Sequence, residues 1–186
     1  MSKLISIYAV GDLILDEPAP MDQYFEPSRE TLQSADLLIG HVETPHTDRS
    51  LPSCVDIQAP PSKPEHLNVL ADIGFDICSL AGNHLYDCGP HGVTDTVDKL
   101  RELGIIPVGG GKNIDHAKVP AIIEKGGVKV GVLSYNAAGP KLGWAMSGKP
   151  GFNFVDVATH YHPRMDMPGS TPRIYTFVWP EALEQM

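Results

Sequence analysis

The feature that most constrains this chain is a pairing that recurs three times. A short apolar run of strand type is followed at once by a few polar residues able to do chemistry. Leu4 to Val10 is apolar apart from one serine and runs into Gly11-Asp12. Asp36 to Gly40 runs into His41-Val42-Glu43, and Phe75 to Leu80 into Gly82-Asn83-His84, with Asp87 just beyond. Runs without alternation suit strands covered on both faces, as in a parallel sheet. Helical stretches separate them. One short piece lies around Ser28 to Ser34. A second starts at Ser62-Lys63-Pro64-Glu65, where Ser62 can cap and Glu65 completes a capping box; Leu67, Leu70 and Ala71 form its apolar face and Gly74 stops it. The clearest helix is Pro90 to Leu103, with Val93, Val97 and Leu100 on one stripe and Gly104 as its stop. Ile105 to Val108 is a fourth strand. This alternation predicts an α/β fold with a mostly parallel sheet and flanking helices.

After Val108 the pattern changes. Ala121 to Glu124 and Val128 to Tyr135 flank Lys125-Gly126-Gly127, which predicts an antiparallel hairpin. Residues 136–172 are loop-rich, with turn signals at Gly139-Pro140, Lys149-Pro150-Gly151 and Pro168-Gly169. Arg173 to Val178 is a further strand candidate, and Pro180 to Met186 reads as the first turns of a helix. The 186 residues suit one domain, 1–186, with 136–172 as a loop-rich insertion within it. Its abrupt end reads as that of an incomplete fold.

The carboxyl ends of strands in an open parallel sheet form one rim, and ligands bind along it. Three segments therefore bring Asp12, Glu43, Asn83 and His84 toward one region. Two carboxylates, an amide oxygen and an imidazole suit Mn²⁺, Fe²⁺, Zn²⁺ or Mg²⁺, and a carboxylate can bridge two such ions. Taken singly, each residue also has a plain reading: an Asp after Gly caps a turn, and Asn-His satisfies local backbone groups. Occurrence after three successive strands favours the site. Asp87, three residues beyond His84, is spaced to orient its ring and fix its tautomer.

The formal net charge of −9 disfavours a nucleic-acid or anionic-membrane surface. No apolar run reaches the roughly 20 residues of a bilayer span, and the first residues are too short and strand-like for a signal peptide. Cys54, Cys78 and Cys88 make neither a C-x-x-C nor an even framework, so thiols in a reducing, cytoplasmic setting are expected. Gly109-Gly110-Gly111-Lys112 lacks the spacing of a phosphate loop and reads as a tight strand-to-helix turn. His160-Tyr161-His162 would chelate a metal if it lay on a strand, but its Pro/Gly-rich setting favours two solvated histidines. Trp144, Trp179, Phe152, Phe154 and Tyr161 either line a groove or pack loops onto the core, the second being the commoner use.

The order strand–Gly-Asp, strand–Glu, strand–Gly-Asn-His resembles the calcineurin-like metallophosphatase superfamily. More narrowly, the chain is similar to the capsule synthesis protein CapA family, associated with poly-γ-glutamate capsules. The residues that carry the resemblance are Ala9 to Leu15, Glu43-Thr44-Pro45, Gly74-Phe75-Asp76, and Ser79 to Gly89. Gly104-Ile105, Gly109 to Asn113 and Gly127 to Tyr135 extend it, in order, to about residue 135. The resemblance implies a metallophosphatase-like fold with one or two divalent metals. Asp12 would bind the first metal, Glu43 would take the bridging position, Asn83 would bind the second, and His84 would stabilise or protonate the leaving group.

Departures accompany it. The superfamily's Asp-x-His is here Asp12-Leu13-Ile14, as in the CapA group, so the first metal site is expected to be weak or absent. His41 stands where the family tends to have Asn; an added ligand, a partner behind the ligands and a neutral change stay open, the non-ligand reading being favoured. The family's later His-Trp-Gly-like and Gly-His-His-Pro-His-like segments have no counterpart, and the other half of the site is expected beyond Met186. The resemblance thus implies a protein of poly-γ-glutamate or capsule biosynthesis or processing, acting on an anionic polymer or a phosphoester. Metal-dependent, phosphoesterase-like hydrolysis is implied if the histidines are supplied. The alternative is a non-catalytic binding or structural subunit that keeps the fold without a complete metal site. Family membership also leaves membrane association open.

Overall fold

The structure, a computed structural model, describes residues 4–16, 20–51, 61–167 and 169–184. Cys54, Pro168 of the expected Pro168-Gly169 turn, and the final Gln185 and Met186 lie outside the described residues. The chain forms two compact units, Met1–Phe154 and Val155–Met186.

The first unit begins with β1 (Ile7–Leu13), the short helices α1 (Met21–Phe25) and α2 (Arg29–Gln33), and β2 (Leu37–Val42). A 3₁₀ turn, Pro64–Leu67, leads into α3 (Asn68–Ile73), then β3 (Ile77–Ser79), α4 (Gly89–Glu102) and β4 (Ile106–Val108). These four strands are parallel and lie in sequential order β1-β2-β3-β4, as the alternation predicts. Crossovers of one hand in a sequentially ordered sheet place every connecting helix on the same face. The side chains bear this out. Tyr8, Val10, Leu38, Val42 and Cys78 join one core with Leu70 and Ile73 of α3 and Val93, Val97 and Leu100 of α4.

The opposite face is covered differently. After β5 (Gly110–Gly111) and α5 (Ile114–Ala117), β6 (Ala121–Lys125) and β7 (Val128–Val132) form the expected hairpin, turning through Gly126 and Gly127 at φ 58° and 83°. Ala121, Ile123, Val130 and Val132 from the hairpin meet Leu37, Ile39, Ile77, Ile106 and Val108 from the sheet. Residues of β2, β3 and β4 thus alternate between a helix-covered and a hairpin-covered face. A 3₁₀ turn, Lys141–Gly143, then leads to β8 (Gly151–Phe152), which pairs antiparallel with β5.

In the second unit, β9 (Val157–His162) pairs antiparallel with β10 (Arg173–Val178), and α6 (Pro180–Leu183) follows. The strand expected at Arg173 is present. Its partner lies within the stretch read as loop, because β9 alternates weakly and most of its residues stay exposed.

One local expectation is corrected. Ser62 does not cap the helix at 64–73. Its N–H donates to the Pro45 carbonyl and its own carbonyl accepts from Thr47 N–H, so it forms a bridge to His46 instead. Lys63 takes the cap position and makes no side-chain cap bond. The helix does end at Gly74, at φ 102° and ψ 31°. An added Cβ there meets nothing within 4 Å, so the cost of a side chain is purely conformational. Gly74→Ala is expected to lower stability by about 1 kcal/mol, read as a shifted urea midpoint with an unchanged slope.

Candidate functional site

The site residues sit at the carboxyl end of the parallel sheet, and a slip in strand register decides where Asp12 points. Ile7, Tyr8 and Ala9 pair with Leu37, Leu38 and Ile39, but Asp12 pairs with His41 and Leu13 with Val42. One residue is therefore gained in β1 between Ala9 and Asp12. A one-residue slip sends each later side chain to the other face. Leu13 accordingly enters the helix-side core with Tyr8 and Val10. Asp12 joins His41 on the hairpin side. The register continues from His41 to Ser79 and from Ser79 to Val108. Asp12, His41 and Ser79 thus form one transverse polar row above the apolar row Ala9, Ile39, Ile77 and Ile106.

The row is hydrogen-bonded behind His41. Its Nδ1 lies 3.2 Å from Ser79 Oγ, which lies 2.8 Å from Ser134 Oγ. Ser134 Oγ in turn accepts from Ala81 N–H at 3.3 Å. On the other side His41 Nε2 is 3.9 Å from Asp12 Oδ1. Sequence reasoning noticed His41 but missed Ser79 and Ser134. Ser79 was legible as the polar last residue of an apolar strand; Ser134 carries no local signal.

Glu43 follows β2 directly and is half-buried. The loop after it is pinned to α4, where His46 N–H donates to Thr96 Oγ1 at 2.8 Å and Asp95 accepts from Thr47 Oγ1 and Arg49 Nε. Asn83 is exposed and His84 half-buried, in the turn between β3 and α4. Asp87 is 3% exposed, and its Oδ2 accepts from His84 Nδ1 at 2.7 Å. It stands just ahead of the first turn of α4, whose unpaired N–H groups favour a negative charge. A carboxylate on Nδ1 fixes the ring and turns Nε2 outward.

Beside this turn, Lys149 Nζ lies 5.1 Å above the Tyr86 ring, and desolvation holds its pKa below the usual lysine value. Trp144 stacks on Phe154 with centroids 3.8 Å apart, and Lys141 Nζ sits 4.6 Å over the indole. Phe152 is fully buried and packs the core, so the packing reading holds for it. Tyr161 and Trp179 are exposed in the second unit, as are His160 and His162, whose rings lie 6.2 Å apart on β9. Burial pushes the Cys78 thiol up to about 12. It raises Cys88 as well, with Asp87 adding to the rise against a Ser50 hydrogen bond, so neither is an activated nucleophile. Gly110 and Gly111 lead into α5, where Asn113 Oδ1 caps by accepting from His116 N–H at 3.0 Å; this is a turn, not a phosphate loop.

In kind, the donors fit a divalent cation: carboxylate, imidazole and amide oxygen at one rim. In number they fit only partly. Among the described residues no three His, Cys, Asp or Glu side chains gather as a metal-holding group. At the Asp12–His41 pair, Gly82 keeps the approach open, since a Cβ there would stand 2.7 Å from His41 Nε2. Among the described residues no helix is long and apolar enough to cross a membrane.

Comparison with known proteins gives the lineage. Residues 6–165 match the family model described as bacterial capsule synthesis protein PGA_cap. The chain is 26% identical over 158 residues to the PGA biosynthesis protein CapA of Bacillus subtilis, a match covering 80% of this chain and 41% of that protein. It is 31% identical over 77 residues to the capsule biosynthesis protein CapA of Bacillus anthracis, covering 41% of this chain and 19% of that one. It is 34% identical over 85 residues to a probable polyglutamine synthesis accessory protein of Mycobacterium tuberculosis, covering 44% and 22%. The matches thus span less than half the length of each relative. With the family model covering most of its residues, and with the fold and rim residues already described, the chain belongs to the bacterial capsule synthesis protein PGA_cap family.

Proposed function

We propose that this chain serves poly-γ-glutamate or capsule biosynthesis or processing, and that its sheet rim is the chain's share of a divalent-metal site acting on an anionic polymer or a phosphoester. Asp12, Glu43 and Asn83 are the ligands in this reading. The observation that carries it is the buried Asp87 carboxylate holding His84 by Nδ1 at the same rim as Asp12. A buried carboxylate spent on orienting one half-exposed imidazole suits a ring that must present Nε2 to a ligand. Bound at the rim, a divalent cation would supply Lewis acidity toward an anionic oxygen. The chain's own residues do the rest. As general acid, His84 would give a proton from Nε2 to the leaving group, while the Nδ1 proton stays on the ring, donated in a hydrogen bond to Asp87, which steadies the ring's charge. Lys149, poorly solvated over Tyr86, adds positive charge for an anionic substrate.

Manganese-dependent cleavage of a nitrophenyl phosphodiester tests this. Asp12→Ala and His84→Ala are each expected to lower the rate at least about 100-fold, and Asp87→Asn about 10- to 100-fold with a changed pH profile. Activity that survives both alanine variants removes these residues from the reaction. A second reading, a non-catalytic binding or structural subunit, is favoured by the lack of a three-donor group among the described residues. It predicts polyglutamate binding with no retained manganese and no cleavage.

A further inference from the structure

We propose that His41, through Nε2, is itself a ligand of the cation held at Asp12, with Ser79 and Ser134 fixing the ring behind it. The inference rests on reading the rim as a cation site, and names a donor outside the ligand set proposed above.

Distance speaks first. His41 Nε2 and Asp12 Oδ1 are 3.9 Å apart. That is well beyond the usual hydrogen-bond range for nitrogen and oxygen, about 2.7–3.2 Å. It is also short for an intervening water. Two donors that each sit about 2.0–2.2 Å from one ion stand about 3–4 Å from each other. At the tetrahedral angle the separation is about 3.3–3.6 Å, so a closure of a few tenths of an ångström lets the pair share one cation.

The ring's other nitrogen supports the same assignment. Nδ1 faces Ser79 Oγ at 3.2 Å. With the Nδ1 proton donated there, Ser79 donates onward to Ser134 Oγ, which also accepts from Ala81 N–H. In that tautomer the Nε2 lone pair is left facing the Asp12 carboxylate. A ligating histidine characteristically donates its second N–H in this way, which fixes its tautomer. The slip in β1 register brings Asp12 to the same face, and Gly82 leaves the approach clear: a Cβ would lie 2.7 Å from Nε2 and 2.9 Å from Cε1. The His41 side chain is 22% exposed and that of Asp12 59%, so an ion can enter from solvent.

Zinc, diamagnetic and imidazole-seeking, is the probe. The whole chain is used in a His160→Gln, His162→Gln background, so that the exposed pair on β9 does not take up metal. Long-range ¹H–¹⁵N spectra of labelled protein are expected to show zinc moving the Nε2 resonance that His41→Gln removes, while Nδ1 stays protonated. By calorimetry, His41→Gln and His41→Asn are each expected to weaken zinc binding about 10- to 100-fold. Ser79→Ala weakens it less, and Asp12→Ala abolishes it. Zinc binding unchanged in both His41 variants but lost in Asp12→Ala overturns the proposal and leaves the rim site standing. No zinc binding by the parent protein overturns both.

Discussion

Truncating Phe152 to alanine is expected to cost about 4 kcal/mol, the largest loss from any single side chain considered. Phe152 is fully buried although its strand, β8, is only two residues long. Its carbonyl accepts from Ala145 N–H at 2.9 Å, and the next residue, Asn153, donates to the Gly109 carbonyl at 2.7 Å. The ring presses on Gly143, where a Cβ would also lie 2.9 Å from Tyr86 Cβ. Nothing nearby can collapse into the space, because the surrounding backbone is already tied to β5 and to the turn at Lys141–Gly143. The cost is therefore the lost apolar burial plus most of the cavity. Phe152→Leu, which refills part of the volume, is expected to cost about 1 kcal/mol. Tyr86 shares this core cluster and lies between His84 and Asp87, so the alanine variant should also speed amide exchange at Leu85, Tyr86 and Asp87. A loss below about 1.5 kcal/mol at an unchanged urea slope would show that the loop closes around the gap.

The parts of the fold legible in the sequence are those set by local pattern. The apolar runs at Leu4, Asp36, Phe75 and Ile105 give the four parallel strands, and the stripe Val93, Val97 and Leu100 gives α4, because burial on a helix or strand face repeats at a fixed period. The Gly126-Gly127 turn announces its hairpin by the backbone conformation it permits. What escaped depends on partners far along the chain. Ser62 has the composition of a cap, yet its backbone is claimed by Pro45 and Thr47, seventeen and fifteen positions earlier, and no local rule weighs that competition. β9 lies among turn residues and owes its form to pairing with β10.

The site divides along the same line. Asp12, Glu43, Asn83 and His84 are recognisable by position after a strand, and the spacing of Asp87 from His84 matches the hydrogen bond seen between them. The direction in which Asp12 points was not legible. A regular β1 would have turned it into the helix-side core with Tyr8 and Val10; one extra residue between Ala9 and Asp12 turns it toward His41. Because side-chain direction in a strand has period two, a single unpaired residue decides whether this carboxylate would be a liability in the core or stands at the rim beside His41. The same step brings His41 and Ser79 into one row with it, joined by pairing register over 67 residues of chain, which is why the row leaves no motif.

The protein is also expected to lose about 3 kcal/mol of stability between pH 6.5 and pH 4 through His46 alone. His46 is wholly buried in the loop after β2. Its Nδ1 lies 2.9 Å from the Thr44 carbonyl, to which it donates, while Nε2 is buried without a partner among the described residues. A proton on Nε2 would place a charge and an unmet N–H where water is excluded. Burial therefore lowers the pKa from 6.5 to about 4; the Thr44 hydrogen bond opposes the shift, and nearby His66 adds to it. The unfolded chain takes up its proton near pH 6.5, whereas the folded one resists until about pH 4. Between those values the unfolded state binds more protons, so stability is full above pH 6.5 and declines as pH falls, at roughly 1.4 kcal/mol per pH unit. Below about pH 4 this group changes nothing further. Asp95 acts in a separate window: burial raises its pKa, but the hydrogen bonds from Arg49 and Thr47 and the Arg49 charge outweigh that and hold it below its usual 3.8, so its stabilisation is lost only in stronger acid. Urea unfolding at half-unit pH steps measures the slope. His46→Gln is expected to be less stable at pH 7 but nearly flat from pH 6.5 to pH 4. Parallel slopes in the two proteins would place the acid sensitivity elsewhere, and remove the buried Nε2 as its cause.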